Sequence, residues 1–443
     1  MKVKAKFAKI VAKITRKLLN LMGRNATSLP GLIAYKIDNN ILDELGKNTK
    51  FIYITGTNGK TMTTHFITNI LKNEYDHVIT NKSGSNMIQG ITTALLDNPT
   101  DKKSVAVLEI DEANVSKVMK YLKPDILVIT NIFRDQMDRF AEIYNVLDLI
   151  TRDLKKFKNL KVIANGDLPL FSRDEIKNLN TVYFGIRDSE IKSDDFDLDS
   201  EFNSDGIICP KCESVLKYRL VNYSSLGEFK CPNCDFKSPK LKYKIEKIIE
   251  MDANFSKFII DDEIYEVNVG GFYNIYNALS AISCAKEMDI DDQYIYKGLK
   301  DQKNIFGRQE KIKIENKEVI INLVKNPTGL NQIIRLMNLE KKDLSLICLL
   351  NDNYADGIDI SWIYDSYYEK LKDLNIKDVY TGGKRRDDMK RRLEIAEIFD
   401  GEIQKINYEE DIVNTIKNSK SKRVYILATY TAMMRLREVL NLS

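Results

Sequence analysis

The sequence predicts an α/β protein made of two successive α/β units, the first of which is interrupted by an insertion. Short apolar runs rich in β-branched residues alternate with helical stretches, which is typical of a mostly parallel sheet covered by helices. A glycine-rich phosphate loop follows the first run and predicts a P-loop ATPase domain. The expected domains are a lead-in at 1–50, the P-loop domain at 51–311 with an insertion at about 187–245, and a Rossmann-like domain at 312–443.

The lead-in begins with a predicted basic amphipathic helix over residues 1–24. Its apolar residues recur at steps of three and four and therefore share one face. They are Val3, Phe7, Ile10, Ile14, Leu18 and Leu21. Lysine and arginine side chains fill much of the remaining surface. The helix either packs on its own domain with its basic face in solvent, which the sequence favours, or contacts an anionic membrane surface.

Composition narrows the class of protein. Hydrophobic residues make up 43% and charged residues 30% of the chain, as in ordinary globular proteins. No run of apolar residues is long enough to predict a transmembrane segment, and no secretory signal is visible. The expected location is the cytoplasm, with the inner face of the membrane as a further contact surface.

Short apolar runs predict the strands of both units. In the P-loop domain they are Phe51–Ile54, Val105–Leu108, Ile126–Ile129, Val162–Ala164 and Val182–Phe184. An acidic, polar stretch at 188–205 breaks the pattern and leads into a segment that contains four cysteines. After Gly307 the runs are Val319–Leu323, Leu344–Leu350, Val379–Thr381 and Val424–Leu427.

Residues 55–61, with the sequence T-G-T-N-G-K-T, predict a loop that binds the phosphates of ATP. The segment follows a predicted strand and opens a predicted helix, so its backbone N–H groups and the positive helix end face an anion. Lys60 is expected to reach the β- and γ-phosphates, and the Thr61 hydroxyl to ligate Mg²⁺. The alternative is a glycine-rich turn before a helix. The expected ATP-binding residues of the loop are Gly56, Thr57, Asn58, Gly59, Lys60 and Thr61.

Two Cys-x-x-Cys pairs predict a zinc ribbon inside the insertion. Eighteen residues separate the pairs, which is a spacing typical of zinc sites. Four thiolates fill the tetrahedral coordination of Zn²⁺ and leave no position open for catalysis, so the ion is expected to be structural. A ribbon that binds nucleic acid and a redox dithiol are the alternatives. The predicted ligands are Cys209, Cys212, Cys231 and Cys234.

The short form G-T-N-G-K-T resembles the phosphate loop of the Mur ligase family and of its relative folylpolyglutamate synthase. Five further segments resemble motifs of that family in the same order along the chain. They are E-I-D-E at 109–112, T-N-I-F-R-D-Q-M-D at 130–138, N-G-D at 165–167, G-F-Y-N-I-Y-N at 271–277 and G-R-Q-E at 307–310. One departure is Gln136, which stands where the family usually has histidine.

This resemblance implies an ATP-dependent carbon–nitrogen ligase. In such a reaction a carboxylate attacks the γ-phosphate and an amine then attacks the acyl phosphate, so a lysine and Mg²⁺ are needed beside the transferred phosphoryl group. Glu109 is the first choice for the magnesium ligand and Glu112 the second, although either acid alone could be a solvated carboxylate at a strand end.

The resemblance also implies three nucleotide contacts outside the loop. Asn274 and Asn277 are expected near the adenine, with helix capping as the alternative. Arg308 is expected to contact a phosphate, with an ion pair at the hinge between the domains as the alternative.

Two departures from ordinary Mur ligases narrow the resemblance further. Only about 50 residues precede the phosphate loop, so the usual N-terminal substrate domain is expected to be absent, and the cysteine insertion is an addition to the family's usual plan. Both features resemble the synthetase subunits of lipid II isoglutaminyl synthases. Three further segments are similar to those subunits, at 26–31, 325–332 and 351–362. This implies ATP-dependent amidation of the α-carboxylate of D-glutamate in the lipid II stem peptide, which makes D-isoglutamine for peptidoglycan synthesis.

In that branch of the family, a separate GatD-like glutaminase subunit supplies the ammonia. A glutaminase needs a nucleophilic cysteine beside a histidine, and neither Cys284 in a helical stretch nor Cys348 in an apolar strand fits that role. The resemblance implies that an aspartate of this chain completes the partner's catalytic triad. Asp356 is the first choice, with Asp352 and Asp359 in reserve, and a plain turn is the alternative.

Other functions are weighed against this interpretation. An amino-acid-adding Mur ligase or a folylpolyglutamate synthase-like enzyme is the main alternative. The short lead-in disfavours an ordinary Mur ligase, and the cysteine insertion disfavours both. An ATPase that depends on nucleic acid would need a strongly basic face, which the net charge of +4 disfavours. A scaffold without catalysis would not need the Lys60–Thr61 pair.

Overall fold

The structure of the chain is a computed structural model. It describes residues 1–22, 26–81, 85–135, 142–188, 195–201, 205–301, 307–340, 342–407 and 411–442.

Strands and helices alternate along most of these residues. The strands are β1 (Thr49–Thr55), β2 (Val78–Thr80), β3 (Ser104–Glu109), β4 (Ile126–Ile129), β5 (Lys161–Asn165), β6 (Thr181–Ile186), β7 (Lys217–Tyr223), β8 (Leu226–Lys230), β9 (Tyr243–Ile245), β10 (Lys247–Met251), β11 (Ser256–Ile260), β12 (Glu263–Val267), β13 (Glu310–Ile314), β14 (Lys317–Leu323), β15 (Leu344–Leu349), β16 (Ile376–Gly382), β17 (Gln404–Lys405) and β18 (Arg423–Ala428). The α-helices are α1 (Val3–Leu21), α2 (Leu29–Ile37), α3 (Ile41–Leu45), α4 (Lys60–Leu71), α5 (Ile88–Leu95), α6 (Val115–Met119), α7 (Ile143–Thr151), α8 (Asp174–Lys177), α9 (Phe272–Lys286), α10 (Asp292–Lys300), α11 (Pro327–Met337), α12 (Arg386–Ile395), α13 (Ile412–Asn418) and α14 (Tyr430–Val439).

A seven-stranded parallel sheet forms the first unit, in the order β2-β3-β1-β4-β5-β6-β9. The parallel sheet that the sequence predicts is thereby confirmed. Its register places Ile54 beside Glu109 and Thr55 beside Ile129. The loop after β1 therefore lies next to the carboxyl ends of β3 and β4, at the point where the strand order reverses. Ligands of open α/β sheets bind in the crevice at this point.

The cysteine segment folds around the antiparallel hairpin β7–β8. Its small apolar core consists of Cys209, Leu216, Tyr218, Phe229, Cys231 and Phe236. A separate antiparallel sheet, β10-β11-β12, follows before α9. The sequence pattern predicts no strand there, because these strands are short and only half-buried and carry a weak period-two pattern.

The second unit is a six-stranded sheet in the order β13-β14-β18-β15-β16-β17. Strand β13 is antiparallel to β14, and the other neighbours are parallel. Helices on both faces bury the sheet in two apolar clusters. This arrangement confirms the second α/β unit that the sequence predicts.

Helix α1 packs with the face opposite to its apolar row. Ala5, Ala8 and Ala12 are fully buried, and the helix lies along α2. The six apolar residues that share one face in the sequence are all exposed. The helix therefore packs on its own domain with basic side chains in solvent, as the favoured interpretation expects, but its large apolar side chains face solvent as well. Among the described residues, no helix is long and apolar enough to cross a bilayer.

Candidate active site and metal centre

Two glycines allow the phosphate loop its conformation. Gly56 and Gly59 have φ angles of 127° and 86°, in the region that L side chains rarely adopt. A Cβ atom on Gly59 would lie 2.1 Å from Oδ1 of Asn277, and one on Gly56 would lie 2.4 Å from Oγ1 of Thr130. Both positions therefore need glycine for conformational and steric reasons.

The residues after β4 hold the loop in place. The backbone N–H of Asn58 donates to Oδ1 of Asn131 at 2.9 Å, and the Thr130 hydroxyl donates to the carbonyl of Asn58 at 2.7 Å. The N–H of Thr57 donates to the carbonyl of Asn131 at 2.9 Å. Thr130 and Asn131 belong to the motif at 130–138, but the motif alone does not predict that these two side chains shape the phosphate loop.

Lys60 begins α4 and is nearly buried. Its ammonium donates to the carbonyl of Gly56 and, at 3.1 Å, to Oε1 of Glu112. Burial acts to lower the pKa of Lys60, but Glu112, Glu109 and Asp111 together raise it above its usual value. The lysine is therefore a fixed cation at the start of the helix, where it adds to the attraction for phosphate.

Thr61 and Glu109 face each other beside this cation. The Thr61 hydroxyl donates to Oε2 of Glu109 at 2.9 Å. The Asn81 side chain fixes the backbone of Glu109 through two hydrogen bonds, of 2.9 Å to its N–H and 2.8 Å to its carbonyl. A hydroxyl and a carboxylate at this spacing are the oxygen ligands that Mg²⁺ prefers, so the pair fits the ion. Glu112 forms an ion pair with Lys60, so its carboxylate is a less suitable magnesium ligand than that of Glu109.

The predicted residues near the adenine lie at the start of α9. Asn274 donates to the carbonyl of Gly270 at 2.8 Å, and Asn277 donates to Oδ1 of Asn274 at 3.4 Å. Arg308 is half-buried, with one hydrogen bond of 3.1 Å to the Gly307 carbonyl. Burial lowers the pKa of the Arg308 guanidinium, and the nearby Glu109 opposes this shift. All three side chains line one cleft together with the phosphate loop.

The second unit closes that cleft. Asn58 in the loop and Asn326 before α11 exchange two amide hydrogen bonds, of 3.1 and 3.3 Å. Asn326 also caps α11 by accepting the N–H of Gly329 at 2.8 Å. The cavity that remains between them measures about 70 Å³. Lys325 adds an ion pair to Asp135, so both neighbouring residues tie the units together.

The aspartates of segment 351–362 differ in their surroundings. Asp356 is 4% exposed, and its carboxylate accepts the N–H and the hydroxyl of Thr431 at 2.7 and 2.5 Å. Asp352 pairs with Arg385 at 3.2 Å, and Asp359 is exposed and accepts the N–H of its neighbour Ser361 at 2.8 Å. Asp356 is therefore the one that the fold fixes most firmly.

Four cysteines converge in the insertion. The sulfurs of Cys209 and Cys234 are 3.5 Å apart, those of Cys212 and Cys231 are 3.4 Å apart, and all four lie within 4.8 Å of one another. Ligands about 2.3 Å from a tetrahedral zinc ion lie about 3.8 Å from each other, so the cluster fits this metal. The structure thus brings together the four side chains that the spacing predicts.

The structure describes only residues 130–135 of the motif at 130–138. Gln136, Met137 and Asp138 lie outside the described residues. Of the remaining motifs, Asp167 is fully buried in a structural network, where it pairs with Arg187 and accepts the hydroxyl of Tyr276 at 2.6 Å.

Comparison with known proteins identifies the family. The profile of the Mur ligase middle domain matches residues 54–234, and that of the MurT ligase C-terminal domain matches residues 323–433. The chain is 42% identical to the lipid II isoglutaminyl synthase (glutamine-hydrolyzing) subunit MurT of Streptococcus pneumoniae, over 99% of this chain and 98% of that protein. The chain belongs to the MurT family. The subunit of the same name from Staphylococcus aureus strain COL is 35% identical over 98% of this chain and 97% of its own length.

Solved structures of two other ligases share the fold. A pseudomurein peptide ligase type C from Methanothermus fervidus has a TM-score of 0.65 and 24% identity, over 91% of this chain and 80% of its own. MurF ligase from Thermotoga maritima in complex with ADP has a TM-score of 0.63 and 14% identity, over 92% and 83%. The Mur ligase fold that the sequence predicts is confirmed. Ligases of this group use ATP and Mg²⁺, and the four-cysteine cluster of this MurT-family chain is able to hold a metal ion.

Proposed function

We propose that this chain is the ATP-dependent synthetase subunit of a lipid II isoglutaminyl synthase. It amidates the α-carboxylate of D-glutamate in the stem peptide of lipid II at the cytoplasmic face of the membrane. The observation that carries the proposal is the identity of 42% to the Streptococcus pneumoniae subunit over almost the whole of both chains. The arrangement of Lys60, Thr61 and Glu109 around the phosphate loop is consistent with it.

The first step forms an acyl phosphate. An oxygen of the substrate carboxylate attacks the γ-phosphorus of ATP, the bond to the bridging oxygen breaks, and ADP leaves. The N–H groups at the start of α4 and the Lys60 ammonium hold the phosphates in line for this attack. Thr61 and Glu109 would hold Mg²⁺, which supplies neutralising charge to the phosphate oxygens. Arg308 lies in the same cleft and is available to the γ-phosphate.

The second step forms the amide. Ammonia attacks the acyl carbon, the carbon–oxygen bond to phosphate breaks, and the nitrogen loses a proton as phosphate leaves. Small-molecule sites usually need about 300 Å³ or more, and the cleft has about 70 Å³. We therefore expect the contact between Asn58 and Asn326 to open when ATP binds.

The ammonia comes from a GatD-like glutaminase subunit. Both cysteines outside the metal cluster are fully buried, and burial raises the pKa of the Cys284 and Cys348 thiols to about 12. A thiol of that kind is a poor nucleophile. The loop around Asp356 exposes Tyr354 to 75% and Ile358 to 61%, which suits an apolar partner surface.

The test of this function is an amidation assay. The purified chain is incubated with ATP, Mg²⁺, lipid II and ammonium chloride, and the product mass is followed. We expect a product one mass unit lighter than lipid II, since an amino group replaces a hydroxyl. Product that forms only with a glutaminase subunit and glutamine also supports the proposal and means that the complex completes the site. Addition of an amino acid to some other acceptor, with no amidation in either setting, would overturn it.

Replacing Asp356 with asparagine is expected to separate the two sources of nitrogen. In the complex with the glutaminase, glutamine-dependent amidation should fall by about 10³- to 10⁴-fold, the effect of losing the acid of a catalytic triad. Amidation with ammonium chloride should stay within about twofold, because Asp356 lies outside the phosphate loop. Asp352→Asn and Asp359→Asn are the matched controls and should retain both activities. If one of them loses the glutamine-dependent reaction instead, the acid is assigned to the wrong aspartate.

A further inference from the structure

Helix α1 presents a continuous row of large apolar side chains to solvent. The exposed fractions are 85% for Val3, 60% for Phe7, 58% for Ile10, 55% for Ile14, 55% for Leu18 and 76% for Leu21. The row spans the length of the helix, about 28 Å at 1.5 Å per residue. Soluble proteins rarely expose a contiguous apolar surface of this extent unless it binds a partner, a ligand or a membrane.

Contacts on the opposite side of the helix hold this row towards solvent. The buried side consists of small residues, Ala5, Ala8 and Ala12, which let α1 lie close along α2. Lys13 and Arg16 form ion pairs with Asp97 at 3.0 and 2.6 Å and fix the rotation of the helix. The apolar row is thus held away from the core by specific contacts on the opposite side.

Lysines border the row on both flanks. At 100° per residue, Lys6 and Lys17 fall on one side of it and Lys4 on the other. All three are exposed, and within the described part of the chain they have no ion-pair partner. An apolar stripe flanked by lysines is the pattern of helices that lie in the interface of a bilayer, where the lysines reach anionic headgroups.

We propose that α1 docks the protein on an anionic lipid bilayer, with the apolar row in the interfacial region and Lys4, Lys6 and Lys17 at the headgroups. A bilayer fits better than a second copy of the chain, because a two-fold pairing of identical rows would bring the lysine flanks of both copies together. The inference goes beyond the proposed reaction and does not rest on it, since it uses only the contacts of α1.

The test is sedimentation of the full chain with vesicles that contain neither ATP nor lipid II. Vesicles of phosphatidylglycerol and phosphatidylcholine mixtures are compared with vesicles of phosphatidylcholine alone. We expect binding to the anionic vesicles, which falls about tenfold in Ile14→Gln because one apolar side chain is removed from the interface. The matched control is Ile395→Gln, a similarly exposed isoleucine (51%) on α12, which should bind like the unchanged protein.

A charge variant completes the design. Replacing Lys4, Lys6 and Lys17 together with glutamine should lower binding to anionic vesicles at least tenfold, since each lysine near such a surface contributes about fivefold. Thermal unfolding should be the same in all variants, because none of these side chains is buried. Equal binding of Ile14→Gln and Ile395→Gln, or no binding to anionic vesicles, would overturn the proposal. A dimer in solution that Ile14→Gln abolishes would assign the row to a second copy instead.

Discussion

Replacing Lys60 with methionine is expected to reduce ATP-dependent amidation on the order of 10³-fold. The ammonium is the one cation that begins α4, and it lies between the carbonyl of Gly56 and the carboxylate of Glu112. Without it, the charge that builds on the transferred phosphoryl group loses its fixed positive partner. ADP release and product mass, measured with lipid II and ammonium chloride, report this loss directly.

The same substitution should also destabilise the fold, and the two effects can be separated. Lys60→Met leaves the buried Glu112 without its partner, which costs about 3–5 kcal/mol for a pair of this kind. The double variant Lys60→Met/Glu112→Gln removes both charges and should recover most of the thermal stability. Its activity should remain as low as that of the single variant. If activity returned together with stability, Lys60 would be structural and the assignment to phosphate transfer would be wrong.

The strand–loop–helix at residues 51–71 and the convergence of the four cysteines were predictable because each depends on residues close in sequence. The loop needs only a strand, two glycines, a Lys-Thr pair and a helix, all within residues 51–71. The four cysteines sit in two tight turns on one hairpin, so their spacing alone fixes their geometry. Sites built from neighbouring residues appear as short sequence motifs, which can be recognised before the fold is known.

Contacts between distant segments could not be predicted in the same way. The hydrogen bonds between Asn58 and Asn326 join residues 268 positions apart, and they depend on how the second unit lies against the first. Either asparagine alone is an ordinary turn or cap residue. The pairing of Glu112 with Lys60 also required the register of β1 and β3, since the sequence offers both Glu109 and Glu112 as ligands.

Helix α1 shows a different limit. The period of its apolar residues predicts a shared face, and that face exists, but periodicity does not say what the face contacts. The packing is decided by Ala5, Ala8 and Ala12, whose small side chains carry little hydrophobic signal yet allow the closest approach to α2. The sequence pattern thus predicts which side chains share a face of α1, and only the fold shows that this face points to solvent.

Loss of one metal ligand is expected to have the second large effect. We propose that the cluster binds one zinc ion per chain. Cys231→Ser should abolish this binding and lower the melting temperature of the insertion, because a structural zinc site contributes on the order of 10 kcal/mol to its local fold. The matched control is Cys348→Ser, which changes a buried cysteine of the second unit and should leave the metal content unchanged. Metal analysis of the purified chains and thermal unfolding with and without a chelator measure both quantities.

The loss should also reach the active site, which tests whether the ribbon is part of the working enzyme. Asn222 on β7 donates to the hydroxyl of Tyr276 at 2.7 Å, and Tyr276 lies on α9 between the two asparagines of the cleft. The N–H of Gly227 on β8 donates to the carbonyl of Asp167 at 3.0 Å, which ties the hairpin to the parallel sheet. We therefore expect weaker ATP binding in Cys231→Ser than in Cys348→Ser. Equal ATP affinity in a metal-free Cys231→Ser protein would mean that the hairpin keeps these contacts without zinc, and that the ion serves only the tip of the ribbon.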